Sequence, residues 1–285
     1  MKVFIIVFSS IVILFLIMGL IELKLLTVTE YEIKSPDIPE SLKGKKIAVV
    51  SDLHEVYHGK DNVRLLEKLK EVNAEYIVVP GDVINGRSEK ELKYAEHILQ
   101  GLSALGGQVI YTFGNHEEKL AVNLKDRTAF DKLVKMSNEY SVLLNDASFC
   151  PEQDEKVCFV GLDLPLWLYH DHDRTGMLKT KVGDILEKDG AIGKYTILIA
   201  HDPEHFDNYA GAGVNLCICG HLHGGIVRLP FLGGMVTPRL QIFTKRSKGV
   251  FEKGKMKMVI SGGVGWHDFP IRIFNRPEIV VIRFV

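Results

Sequence analysis

The chain has 285 residues, 46% hydrophobic and 25% charged, a globular balance that buries a full core without a disulfide scaffold. With 35 basic against 36 acidic residues the formal net charge is −1. Composition therefore supplies no basic face for a nucleic acid, and no such partner is expected.

The chain opens on an uncharged run, residues 3–21, interrupted only by Ser9, Ser10 and Gly19. As a helix it would span about 28 Å, close to the roughly 30 Å of a hydrocarbon core. It has no polar stripe, unlike a buried core helix, and no small-x-small cleavage site before Glu22. The reading is an uncleaved signal anchor over residues 1–24, a single pass through the cell membrane, followed by one catalytic domain over 25–285. Lys2 and the amino terminus ahead of the span put the domain outside the cytoplasm. One lysine leaves the opposite orientation open.

Residues 25–33 alternate as a strand and end at Ser-Pro-Asp. Residues 46–50 and 76–79 are short β-branched strands. Between them Val63, Leu65, Leu66, Leu69 and Val72 form a helical stripe over 61–73. Residues 88–105 predict a helix with Ser88 as N-cap and Gly106 and Gly107 at its end. A strand at 109–113 and a helix at 129–136 follow. Segments 142–144, 148–150 and 157–162 predict a small antiparallel meander. Further strands are expected at 196–200, 216–219, 256–260, 272–274 and 279–284. The order, βαβαβα and then mostly β, predicts an α/β (α+β) fold of two packed sheets with helices outside.

There are four cysteines. Cys217 and Cys219 fall on one side of a strand and cannot easily bridge each other. Cys150 and Cys158 flank a polar turn and could face each other across a hairpin, where a bridge needs an oxidising compartment.

Five apolar runs each end in a metal-ligand type of residue. They lead into Asp52-Leu53-His54, Asp82, Asn115-His116, His201 and His221-Leu222-His223. Ligands of α/β sheets collect at the carboxyl ends of strands, so these groups can converge. In Asp-x-His and His-x-His the two side chains project to one side if the extended backbone continues. Any one of these pieces alone is more often a turn or a hydrogen-bonded core residue. All five, each at a strand end, point to a metal site.

Together Asp52-x-His54, Gly81-Asp82, Gly114-Asn115-His116-Glu117, Ala200-His201 and Gly220-His221-x-His223 resemble the signature of the calcineurin-like metallophosphoesterase superfamily. The sequence around Gly220 to Pro230 and the ending from Pro270 resemble its bacterial membrane-anchored branch. The resemblance implies a metallophosphatase-like four-layer sandwich and two divalent ions. Asp52, His54 and His223 would hold the first, Asn115, His201 and His221 the second, and Asp82 would bridge them. Such a pair stabilises charge on attacking and leaving oxygens and activates a hydroxide near neutral pH. Oxygen and nitrogen donors without thiolate suit Mn²⁺, Fe²⁺ or Zn²⁺. By the same resemblance His116 stabilises the transition state or protonates the leaving oxygen. Glu117 stands where many relatives have Asp; its expected task is to orient the neighbouring ligands, and little change is expected from the replacement. Gly81-Asp82 continues as Val-Ile-Asn-Gly-Arg rather than Asp-Arg-Gly, which speaks against a Ser/Thr protein phosphatase.

The expected activity is hydrolysis of a phosphomonoester, phosphodiester or pyrophosphate, with a lipid-linked or envelope substrate suggested by the anchor. The alternative is a non-catalytic metal-binding envelope protein. A structural centre has no need of an acid such as His116 alongside. Arg228, Arg272, His267 and Asn85 are candidate contacts to substrate phosphate, Arg by its bidentate fork. Either arginine could instead pair with acids at strand ends. The aromatic loop 164–169 either dips into the membrane interface or packs over the sheet. The run 170–173 and the basic stretch 245–257 read first as solvated loops.

Overall fold

The computed structural model describes residues 1–285 apart from 125–126, 172–175, 230–232, 237–241, 245 and 267–269. It begins with helix α1 (Lys2–Glu22), long and apolar enough to cross a membrane and almost wholly exposed. There follow β1 (Thr27–Ile33), β2 (Lys46–Val49), α2 (Val63–Val72), β3 (Tyr76–Val79), α3 (Leu92–Ser103), β4 (Gln108–Tyr111), α4 (Asn115–Leu124), α5 (Thr128–Tyr140), β5 (Val142–Leu143), β6 (Ala147–Phe149) and β7 (Val157–Leu162). The rest of the chain forms α6 (Met177–Lys188), β8 (Tyr195–Ala200), α7 (Phe206–Gly211), β9 (Leu216–Cys219), β10 (Val227–Leu229), β11 (Gly233–Val236), β12 (Ile242–Thr244), β13 (Gly249–Lys253), β14 (Met256–Ile260) and β15 (Glu278–Phe284).

Two six-stranded sheets carry the fold, in the orders β1-β15-β2-β3-β4-β5 and β13-β14-β9-β8-β7-β6; β10, β11 and β12 make a separate antiparallel sheet. Strands β2 to β5 run parallel, as do β7, β8, β9 and β14. Their sequences are mostly apolar, with Lys46, Gln108, Thr196 and Lys257 near the strand starts, because both faces are covered. On β2 and β3, Ile47, Val49, Tyr76 and Val78 meet Phe159, Ile197, Ile199 and Ile218 of the second sheet. The alternate residues Ala48, Ile77 and Val79 pack on Leu65, Leu69, Ile98, Leu99 and Leu133 of the helices outside. The second sheet does the same with Leu198 and Cys217 against Leu178, Val182 and Tyr209. The period-2 alternation of β-strand side chains thus builds four layers, helix on sheet on sheet on helix.

The expected two-sheet architecture is present, and Ser88 caps the turn ahead of α3 by accepting from the Lys90 N–H. The antiparallel meander is corrected. β5 lies parallel to β4 at the edge of the first sheet, and only β6 pairs antiparallel with β7 in the second. Helices α4 and α5 carry the chain back between β4 and β5, as a parallel crossover requires. Residues 272–274 form no strand: Ile273 makes one isolated bridge to Val227, and Phe274 turns away at φ +54°. Helices α4, α6 and α7 are additions to the sequence reading. Cys150 and Cys158 are joined by a disulfide, while Cys217 and Cys219 are buried and free.

The aromatic loop resolves toward packing: Leu164, Leu168 and Tyr169 are buried in the outer core of the second sheet, with Trp167 left exposed. The basic stretch is paired, Lys253 with Asp207, Lys257 with Glu252 and Lys248 with Glu278. His172, Asp173 and His267 lie outside the described residues.

Candidate metal centre

Parallel strands deliver their ends to one edge, and the candidate ligands stand there. Asp52 and His54 follow β2, Asp82 follows β3, Asn115 and His116 open α4 after β4, His201 follows β8, and His221 and His223 follow β9. The loops are laced together. The Asp52 N–H donates to the Gly81 carbonyl and the His54 N–H to the Asp82 carbonyl. Across the two sheets the His221 N–H donates to Asp52 Oδ1 at 2.8 Å, and within the first sheet the His116 N–H after β4 donates to Asp82 Oδ1 after β3 at 3.0 Å.

The backbone at the candidate ligands is not extended. Asp52, His54, Asp82, His221 and His223 all have positive φ, between 46° and 73°. Left-handed residues make tight turns that side chains with a Cβ rarely adopt. Such outliers gather where surrounding contacts over-determine them. The side chains converge because of these turns, not because a strand continues past its end, which corrects the i, i+2 argument.

Neighbouring glycines make the approach possible. A Cβ on Gly114 would stand 2.3 Å from Asp82 Oδ1, and one on Gly220 would stand 1.9 Å from Ser51 Oγ.

Three sets of donor atoms lie within 4.8 Å of one another: Asp52 with His54 and His223, His54 with Asp82 and His116, and Asp82 with His201 and His221. Asp82 links the second set to the third, and His54 links the first to the second. Its Oδ2 is 2.9 Å from His201 Nε2, 3.7 Å from His54 Nε2 and 4.0 Å from His116 Nε2. His54 Nε2 and His223 Nε2 are 3.1 Å apart. Burial opposes charge on Asp82, but the His201, His116 and His54 imidazoles hold its carboxyl well below the usual range. Asp52 is pushed the other way, up to about 6, by burial and by Asp82 beside it. Two buried carboxylates this close call for positive charge between them.

The donor set fits divalent cations. Asn115 Oδ1 is buried with no hydrogen-bond donor among the described residues, a cost that coordination would remove. His201 Nδ1 donates to the Pro80 carbonyl at 2.6 Å, which turns Nε2 into the site. His116 Nδ1 likewise meets the Asn85 carbonyl at 2.7 Å.

Several supporting residues were not legible in the motifs. Glu117, expected to orient its neighbours as an Asp would, accepts from the N–H groups of Asp82, Val83, Ile84 and Gly114 and from the Tyr111 hydroxyl. The candidate phosphate contacts have other partners. Arg272 is buried and reaches the Gly265 and His223 carbonyls, with Nη2 3.3 Å from His223 Nδ1. Asn275 donates to the His223 and Gly225 carbonyls at 2.6 Å each. Arg228 bonds the Gly224 carbonyl and Ser247. Asn85 donates to Glu55 and to the His54 carbonyl. No short-range signal marks Asn275, which lies 52 residues from the ligand it braces.

Strand-end ligands of this kind, on two stacked sheets with helices outside, define a metallophosphoesterase. The chain belongs to the calcineurin-like phosphoesterase family, whose description matches residues 45–225. It is 27% identical to the metallophosphoesterase YkuE of Bacillus subtilis (strain 168), covering 92% of this chain and 86% of that one. A metallophosphoesterase of Aquifex aeolicus (strain VF5) is 28% identical over 92% of this chain and 93% of its own. A zebrafish (Danio rerio) "transmembrane protein with metallophosphoesterase domain" is 27% identical over 90% of this chain and 56% of its own length.

Proposed function

We propose that this protein is a metal-dependent phosphoesterase whose reaction centre is organised by Asp82. The observation that carries the reading is the place of Asp82 Oδ2 between His54 and His201, each a member of a separate donor set. In this reading Asp52, His54 and His223 hold one divalent ion, Asn115, His201 and His221 a second, and Asp82 is shared. Mn²⁺, Fe²⁺ or Zn²⁺ suits these oxygen and nitrogen donors. When bound, such a pair neutralises phosphoryl charge and lowers the pKa of the attacking water.

The chain's own groups then have distinct tasks. The His116 Nδ1–H donates a hydrogen bond to the Asn85 carbonyl, so Nε2 faces the site and, when the ring is protonated there as well, can deliver a proton to the leaving oxygen. Pro80 and Glu117 keep His201 and the Asp82 loop in place before substrate arrives. The substrate is a phosphomonoester, phosphodiester or pyrophosphate.

The protein is read as an anchor over residues 1–24 and a catalytic domain over 25–285. α1 supports a single-pass membrane location, and the Cys150–Cys158 disulfide supports a catalytic domain outside the cytoplasm. A phosphate ester carried on a lipid or in the envelope is the substrate class that suits such an enzyme.

Full-length protein in detergent with added Mn²⁺ should hydrolyse bis-p-nitrophenyl phosphate or p-nitrophenyl phosphate. Metal bound at two ions per chain with no turnover of either ester would leave a purely structural centre. A screen of lipid phosphates under the same conditions tests the substrate class.

A further inference from the structure

The C-terminal half of α1 does not stand clear of the catalytic domain. Gly19 packs directly on the 271–273 segment: a Cβ there would meet Ile271 Cγ1 at 2.5 Å and Ile273 Cγ1 at 3.1 Å. Further up the helix the Phe15 ring meets the Phe274 ring edge-on, with centroids 6.1 Å apart. Phe15 lies seven residues before the helix end at Glu22, about 10 Å along the axis. If α1 spans a bilayer, Phe274 reaches the same depth.

The charged groups mark the opposite level. Glu22 accepts from the Asn275 N–H at 3.1 Å and lies 3.8 Å from the Arg276 Nε. Acid and base thus sit where the helix ends, and apolar side chains sit above them. Phe274 is 45% exposed, and Ile271 and Ile273 are partly so. Phe274 holds a left-handed backbone, φ +54°, which is rare for an aromatic residue and turns its ring onto the helix.

Irregular backbone is tolerated near hydrocarbon only when its polar groups are satisfied. Here the Ile273 N–H donates to the Ile226 carbonyl and its own carbonyl accepts from the Arg228 N–H. The Arg272 N–H points at the Gly19 carbonyl, and Pro270 has no N–H. Three of the segment's backbone groups are thus engaged, and its side chains are apolar apart from Arg272, which is buried toward the catalytic domain.

We infer that residues 270–274 are a second membrane-inserted element, seated in the bilayer beside α1. This rests on the anchor reading and deepens it. Arg272 and Asn275 join the inserted segment to His223. The His223 side of the metal centre is therefore held at the membrane surface, where the phosphate of a lipid-borne ester lies.

The test is depth, measured on full-length protein in phospholipid nanodiscs. Nitroxide labels are placed at Phe274→Cys and, separately, at the exposed Pro270→Cys in case the first disturbs folding. Ile13→Cys reports the span and the exposed Glu187→Cys reports water. Relaxation by oxygen and by a water-soluble nickel chelate is then compared. Labels at 270 and 274 should follow position 13, shielded from the chelate and open to oxygen. Chelate access at 270 and 274 with position 13 shielded would overturn the inserted segment and leave the anchor intact. Chelate access at position 13 as well would remove the anchor reading, and the inserted segment with it.

Discussion

The Glu117 carboxylate accepts a hydrogen bond from the Asp82 N–H at 3.0 Å, across 35 residues of sequence. The same side chain takes the N–H groups of Val83 and Gly114 at 2.7 and 2.8 Å. One buried acid thereby clamps the turn after β3 to the turn after β4, and so spaces Asp82 from Asn115 and His116.

Glu117→Ala would leave these buried N–H donors without an acceptor, a cost of about 3–5 kcal/mol for breaking a buried charged network. Denaturant unfolding should show the loss, and metal affinity should fall roughly 10–100-fold. Wild-type stability in this variant would mean water replaces the carboxylate.

Asp82→Asn keeps the shape of the side chain and removes its charge. If Asp82 joins two ions, elemental analysis of the purified variant should find metal depleted below the wild-type content. A fully occupied centre would count against sharing.

His116→Ala should retain wild-type metal content and lose turnover by about 10²–10⁴-fold, the usual size for general acid catalysis. The measurement is kcat on bis-p-nitrophenyl phosphate alongside metal analysis. His116 also belongs to a donor set with His54 and Asp82, so loss of metal would reassign it as a ligand.

Protein taken from native membranes should expose two thiols on denaturation and four after reduction, with the difference mapping to Cys150 and Cys158. Removing both cysteines should lower stability by about 2–3 kcal/mol, as expected for a short closed loop. Four free thiols before reduction would place the domain in the cytoplasm.

Much of the site was legible because its residues sit next to the strands that carry them. Asp52, Asp82 and His201 each follow a short β-branched run that reads as a doubly covered strand, and parallel strands end together. The helix α4 was not legible: Asn115-His116-Glu117-Glu118 has no apolar stripe, and Leu120 is its one fully buried aliphatic residue. The segment at 142–144 read as part of an antiparallel meander because period and composition cannot say which sheet a short strand joins. Arg272 read either as a candidate phosphate contact or as a partner of acids at strand ends, because an arginine's burial depends on what packs over it.

Residue type and local period are properties of the chain itself, so the covered strands, the apolar helix α1 and the candidate ligands could be read directly. Which side chains meet is set by turns and by pairings across a hundred residues or more. The left-handed backbone at Asp52, His54, Asp82, His221 and His223, the reach of Glu117, and the seat of residues 271–274 on α1 all came from the folded molecule. Each depends on contacts between segments distant in the chain, and no local propensity encodes those.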